Sequence, residues 1–137
     1  MDAQDRSYRV LRIVIAFGGL FELVMGLVIL FWGDLIISIA TGGLTPTYPL
    51  YWRTMGLLAV ALGSLQVVAS QDPRRYVAIP ITASSVRFLL PILTYLQVLD
   101  TPSMAGMLIV STVFDFLLAV ATAVLLFQAG LLNRNQQ

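Results

Sequence analysis

Four long apolar segments constrain this chain more than any other feature of its sequence. They cover residues 10–32, 50–70, 77–99 and 104–128, and each is 21 to 25 residues long. An α-helix needs about 20 residues to cross a hydrocarbon core of roughly 30 Å, and isolated strands would leave backbone groups unpaired in lipid. The sequence therefore predicts an all-α integral membrane protein, with one four-helix transmembrane domain over residues 1–137.

The composition agrees with a location in a lipid bilayer. Hydrophobic residues make up 58% of the chain and charged residues only 11%, whereas an ordinary soluble domain is about 25% charged. The net charge is +1 and the arginines are scattered, which argues against a nucleic-acid partner. Cys and His are absent, which removes disulfides, thiolate and imidazole metal ligands and Cys/His catalytic pairs. We expect no metal and no bound cofactor.

The connections between the segments predict their arrangement. Residues 71–76 and 100–103 leave room only for turns, and each turn contains an Asp followed by a Pro. Neighbouring helices should therefore be antiparallel, in an up-down-up-down bundle. Within the third segment, Pro91 predicts a kink because it removes one backbone hydrogen bond.

The first connection, residues 33–49, is the only one with room for structure of its own. Its stretch 34–40 is too apolar for a solvated loop. We predict a short helix or turn there, lying in the membrane interface, capped by Asp34 and ended by Gly42 and Gly43.

The distribution of arginines predicts the orientation. Six of the eight lie on one side of the predicted bundle. They are Arg6, Arg9 and Arg12 at the first segment, Arg74 and Arg75 in the second connection, and Arg134 after the fourth segment. Because positively charged residues collect on the cytoplasmic side, both termini should be cytoplasmic, in the cell (inner) membrane. Arg53, just inside the second segment, is the exception.

A charged trio inside the apolar segments is the main chemical clue. Glu22, Arg87 and Asp115 lie twelve, ten and thirteen residues from the predicted cytoplasmic ends of their helices. At 1.5 Å per residue, their depths differ by only about 5 Å. One ionised side chain at mid-membrane costs roughly 2.5–3.5 kcal/mol on insertion scales. We therefore expect the three to face the bundle interior and each other.

Small residues accompany these charges and favour close helix packing. Glu22 shares a helical face with Gly18, Gly19 and Gly26, and the second helix carries a comparable stripe. That stripe is formed by Arg53, Gly56, Gly63, Gln66 and Ser70. We interpret Gln66 as an ordinary interhelical hydrogen-bonding residue rather than a ligand contact.

The trio admits two interpretations. In the favoured one, Arg87 is held between the two carboxylates and fixes helix register, a role in specificity rather than net stability. In the other, two carboxylates and one guanidinium leave an excess negative charge, which a transferable proton or a cationic substrate would neutralise. A second pairing, Asp34 with Arg53 near the outer surface, competes with snorkelling of Arg53 to lipid headgroups, which we favour.

Several short motifs resemble the small bacterial four-helix membrane proteins described as DoxX-like or BphX-like. The motifs are Gly-Gly-Leu-Phe-Glu-Leu at 18–23, Tyr-Trp-Arg-Thr-Met-Gly at 51–56, Asp-Pro-Arg-Arg at 72–75, and Phe-Asp at 114–115. Some such proteins resemble subunits of membrane redox systems, which implies an accessory role beside a cofactor-bearing partner. A weaker similarity, to small multidrug transporters, rests on Glu22 alone, and Arg87 departs from that pattern.

These observations give three functional hypotheses. The leading one is a non-catalytic accessory or scaffold subunit of a membrane complex, in contact with another membrane protein or with further copies of itself. The alternative is a small proton-coupled carrier that uses Glu22 and Asp115. An enzyme acting on a lipid or quinone is less favoured, because no nucleophile and base occur at a recognisable spacing.

Overall fold

The computed structural model describes residues 3–40, 42–43, 49–100, 102 and 105–132. Within these residues it contains no strand and four α-helices, which are α1 (Ala3–Ala40), α2 (Pro49–Gln71), α3 (Ala78–Asp100) and α4 (Ala105–Gln128). All four are long and apolar enough to cross a membrane. The predicted all-α class with four helices is confirmed. Arg134 lies outside the described residues.

The first helix begins earlier than predicted, and it is broken at Trp32, where the first segment was predicted to end. It begins at Ala3 and continues to Ala40, but Trp32 has non-helical backbone angles (φ −126°, ψ 15°). Residues 33–40 therefore form a separate helical stretch, as predicted for the first connection. Asp34 does not cap this stretch, because it lies two residues beyond the break. In α3 the helix continues through Pro91, and the kink expected there stays a prediction.

Gly42 and Gly43 end the first helix, as predicted. Both have positive φ angles, 71° and 103°, in the left-handed region that glycine adopts without steric cost. The Gly43 amide donates to the Ser38 carbonyl oxygen at 2.7 Å, which satisfies one of the free carbonyl groups at the helix end.

The turn between α2 and α3 is organised by Asp72. One of its carboxylate oxygens, Oδ1, accepts hydrogen bonds from the backbone amides of Arg74 and Arg75 at 3.2 and 3.3 Å. Pro73 is buried at the centre of the turn. This is the local chemistry by which Asp and Pro favour turns, and it reverses the chain between two neighbouring helices.

Glycine contacts show that α1 and α2 are antiparallel. Gly19 lies against Gly63, and Gly26 lies against Gly56, so residue numbers rise along one helix as they fall along the other. The α1–α2 seam is the most extensive helix contact in the described structure. These two helices form a tight hairpin.

The third and fourth helices form a second antiparallel hairpin. Arg87 lies near Asp115, and Thr94 is hydrogen-bonded to Thr112 through their hydroxyl groups. We call the end of the bundle that carries Arg12, Arg74 and Arg75 the inner end, and the opposite end, with Asp34 and Arg53, the outer end.

The apolar core lies at the inner end. Leu11 and Ile15 of α1 pack there with Leu126 and Ala129, and the Gln4 side-chain amide donates to the Ala129 carbonyl oxygen at 3.0 Å. This core joins the end of α4 to the start of α1. The two hairpins are therefore held together most firmly at the inner end, on the inner side of the charged trio.

Candidate functional site

Arg87 brings three helices together in the middle of the bundle. Its terminal nitrogen Nη2 lies 2.8 Å from Oε2 of Glu22 on α1, and its Nε lies 3.4 Å from Oδ1 of Asp115 on α4. Arg87 itself is only 4% exposed. The trio singled out in the sequence therefore does form one cluster, with the guanidinium between the two carboxylates.

Gln66 on α2 is a fourth member that the sequence reasoning did not assign to the cluster. It is 2% exposed. Its amide oxygen accepts from Nη1 of Arg87 at 3.1 Å, and its amide nitrogen donates to Glu22 Oε2. All four helices thus contribute one side chain. We call these four residues, Glu22, Gln66, Arg87 and Asp115, the charge cluster.

The antiparallel arrangement of α1 and α2 explains how Glu22 and Gln66 meet. In a helix every Cα–Cβ bond tilts toward the N-terminus, so the two side chains lean toward each other from opposite directions. Gln66 also continues the stripe that begins at Gly56 and Gly63. The stripe is visible in the sequence, but a count of residues from the helix end places Gln66 too near the inner surface.

The glycines of the α1–α2 seam allow the two backbones to come very close. A Cβ atom added at Gly19 would lie 2.8 Å from Cβ of Gln66, and one at Gly63 would lie 2.5 Å from the Leu23 amide nitrogen. These distances are shorter than real contacts. The close contact between α1 and α2 therefore takes up all four of its glycines, Gly19, Gly26, Gly56 and Gly63.

Gly18 has a different role from its neighbour. A Cβ atom at this position would lie 3.7 Å from both terminal nitrogens of Arg87, which is an ordinary van der Waals distance. Gly18 is therefore next to the guanidinium rather than at a backbone contact. Of the five glycines predicted to pack helices, four line the α1–α2 seam and this one borders the charge cluster.

The charges of the cluster do not balance. Two carboxylates and one guanidinium leave a formal net charge of −1. The Glu22 and Asp115 side chains are 21% and 28% exposed, against 5% for Arg87. The Nε atom of Arg87 makes no hydrogen bond, so Asp115 is held by Coulomb attraction without a well-aligned bond.

The outer half of the α3–α4 hairpin is loosely packed. Among the side chains that the structure describes, none on α3 after Arg87 and none on α4 before Ala119 is buried. Two shallow grooves of about 240 and 320 Å³ follow the α3–α4 seam, and both are lined by Pro91, Thr112 and Val113. Neither groove is lined by a residue of the charge cluster. The bundle is closely packed on the inner side of the cluster and loosely packed, between α3 and α4, on its outer side.

The outer pair also forms. Arg53 Nη2 lies 3.4 Å from Asp34 Oδ2, but the two side chains are 60% and 48% exposed. The contact occurs where we favoured snorkelling of Arg53. Exposed ion pairs contribute little to stability, so this pair does not compare with the buried cluster.

The side chains of the cluster can hold charge and can bind a proton. Among the described residues, no group of three or more Asp and Glu side chains could hold a metal ion. The guanidinium of Arg87 is occupied by its three partners. What the arrangement can do is fix four helices in register and hold one excess negative charge inside the bundle.

Comparison with known proteins adds no family name. No protein-family model matches the chain, and neither a curated protein nor a solved structure matches it. The similarity to DoxX-like proteins therefore stays a prediction from short motifs.

Proposed function

We propose that this chain is a multi-pass protein of the inner membrane, folded as an up-down-up-down bundle with both termini in the cytoplasm. Four helices of sufficient length and hydropathy support this proposal. The uneven distribution of charge supports the orientation, because Arg12, Arg74 and Arg75 all lie at the inner end. The short helical stretch 33–40 then lies at the outer interface.

Within the membrane, we infer that the chain acts as a non-catalytic accessory or scaffold subunit, in the manner of the DoxX-like proteins that it resembles. The observation that carries this inference is the loose packing of the outer half of α3 and α4. The glycine stripe is already used between α1 and α2, so it is not free for a partner. The outer α3–α4 hairpin is the surface left for packing against another membrane protein, or against a second copy.

Site-specific photocrosslinking in the native host tests this function. A photoreactive residue is placed at Tyr95 or Val110, which are 66% and 71% exposed on the outer α3–α4 hairpin, and at Leu57 on α2, which is 57% exposed. We expect crosslinks to a membrane protein from the first two positions and not from Leu57. Recovery of the uncrosslinked monomer from all three positions would contradict the scaffold function.

A small proton-coupled carrier is the second candidate. It is favoured by the partial exposure of Glu22 and Asp115, and by the excess negative charge of the cluster. A carrier of this kind would show a pH-dependent flux in proteoliposomes that Glu22→Gln abolishes. Asp34→Asn, which changes an exposed carboxylate outside the cluster, is the matched control. Equal flux in the two variants would exclude Glu22 as the proton carrier.

A further inference from the structure

Five arginines at the inner end form no ion pair with any residue that the structure describes. They are Arg6, Arg9, Arg12, Arg74 and Arg75, and all five are exposed. Among the described residues none of them has a carboxylate within ion-pair distance. Asp5 and Asp72 are the acidic residues described at this end, so five positive and two negative charges leave a net charge of +3. This surface must attract anions.

Two of these arginines are held in place by groups that are distant in the sequence. The Arg74 guanidinium lies over the ring of Tyr8, 4.8 Å from its centre, and its backbone is fixed by Asp72. Arg12 donates from Nε to the Ser70 carbonyl oxygen at 2.9 Å. A guanidinium held in this way keeps its terminal N–H groups available for a phosphate oxygen and loses less side-chain entropy on binding.

The same region of α1 leads directly onto an apolar surface. Tyr8 and Arg12 are one turn apart, so Arg12 and Arg74 approach the same side of the helix. Beside them, Arg9 begins a row that continues with Ile13 and Phe17, which are 63% and 56% exposed. Cationic groups at the foot of an exposed apolar row fit a molecule with a phosphate at one end and acyl chains at the other.

We infer that Arg12 and Arg74 bind the phosphate of an anionic phospholipid of the inner leaflet, with its acyl chains along the row of Ile13 and Phe17. Arg9 and Arg75 flank the site and add attraction. Each cationic side chain near a membrane surface contributes about 1 kcal/mol to anionic-lipid binding, which is about fivefold in affinity. The inference rests on the proposed membrane insertion.

Native mass spectrometry of the whole chain in detergent, titrated with phosphatidylglycerol or phosphatidylcholine, tests the site. We expect preferential retention of phosphatidylglycerol, about fivefold weaker binding for Arg74→Gln, and about 30-fold weaker binding for Arg12→Gln with Arg74→Gln. Arg6→Gln removes the same charge from the inner end, one turn before Arg9, and should weaken binding less than Arg74→Gln because it leaves both phosphate-binding guanidinium groups in place. Equal effects of Arg6→Gln and Arg74→Gln would show a diffuse attraction and overturn the proposal.

A pair of charge-neutral variants separates a shaped site from net charge. Tyr8→Leu removes the ring beneath Arg74 and should weaken phosphatidylglycerol binding, whereas Tyr8→Phe keeps the ring and should retain it. Helical content and the unfolding midpoint of both variants show whether they are folded. Unchanged binding in a folded Tyr8→Leu variant contradicts the role of the stacked guanidinium.

Two further measurements identify the ligand and test the lipid site separately from membrane insertion. Inorganic phosphate is added as a competitor, and we expect it not to displace the lipid; complete displacement would assign the site to free phosphate. Retention in phosphatidylcholine vesicles after alkaline extraction tests membrane insertion separately. A chain that is retained there but shows no lipid preference contradicts this inference and leaves the membrane proposal intact.

Discussion

Arg87 is the residue at which the contacts between the helices converge. Its guanidinium reaches Glu22, Gln66 and Asp115, which lie on the three other helices. Burying such a group requires removing it from water, and the resulting ion pairs are weak evidence for net stability. We expect their stronger consequence to be specificity, because a slip in helix register would leave a charge unpaired inside the bundle.

Because the charges of this cluster do not balance, its variants should differ in their effect on the free energy of unfolding. Arg87→Gln leaves two carboxylates with no cation, and we expect it to lower the free energy of unfolding by about 3–5 kcal/mol. Glu22→Gln leaves one carboxylate and one guanidinium, keeps a hydrogen-bonding side chain, and should have a much smaller effect. Thermal unfolding of the two variants in the same detergent is the measurement.

A comparable loss of stability in both variants would contradict this reasoning. It would show that the Glu22 carboxylate is required as an anion, although its removal balances the charges. Asp115→Asn also leaves the cluster with no net charge, and its effect on stability should be as small as that of Glu22→Gln.

The cluster could be predicted from the sequence only in part. Counting residues along apolar helices placed Glu22, Arg87 and Asp115 at one depth, because the rise per residue is fixed. The same count missed Gln66, because it assumes that side chains project sideways from their helices. The side chains of the antiparallel helices α1 and α2 instead lean toward each other.

At the scale of the elements, the α1–α2 hairpin depends on the absence of side chains. A Cβ atom at Gly19 would approach the Gly63 carbonyl oxygen to 2.9 Å, whereas one at Gly18 would meet nothing nearer than 3.7 Å. We expect Gly19→Ala to destabilise the protein by about 1–3 kcal/mol, as for overpacked interiors. Gly18→Ala should be neutral or stabilising, since Ala favours helix by up to about 1 kcal/mol over Gly.

The two glycines are adjacent and lie at one depth, so each variant controls for the other. The unfolding midpoint of each purified variant is compared with that of the parent chain. If Gly18→Ala destabilised as strongly as Gly19→Ala, close approach of the two backbones could not be the cause.

The break in the first helix lies where the sequence predicts that the first segment ends. The non-helical residue is Trp32, the last residue of the predicted segment 10–32, and α3 continues as one helix through Pro91. A proline lacks one donor and limits φ, yet neighbouring helices can accommodate it in an apolar bundle. Gly33 and Asp34 follow Trp32 directly and interrupt the apolar run, so the position of this break has a local signal in the sequence.

At the scale of the whole molecule, the chain divides at the charge cluster. On its inner side, Leu11, Ile15 and Leu126 form a closed core. On its outer side, the described side chains of α3 and α4 are not buried. The four long apolar segments and the short turns predicted the four helices, since both depend on local sequence. The loose outer half could not be predicted, because it depends on how two hairpins of similar composition pack against each other.

The proposed orientation gives a prediction for the whole chain. Because the protein has no cysteine, a single introduced thiol reports its own location. Pro102, an exposed residue between α3 and α4, and Gln71, exposed at the inner end of α2, are each replaced by Cys. In intact cells with a permeable outer envelope, a membrane-impermeant maleimide should label Pro102→Cys. It should label Gln71→Cys only after the inner membrane is opened.

The outcome discriminates among all the arrangements of the bundle, because the two positions lie at opposite ends of antiparallel helices. The reverse labelling pattern would invert the orientation and place the arginine-rich inner end outside the cytoplasm. Labelling of both positions in intact cells would contradict a membrane-spanning bundle altogether. Denaturing each sample before a second round of labelling controls for thiols that are buried rather than enclosed.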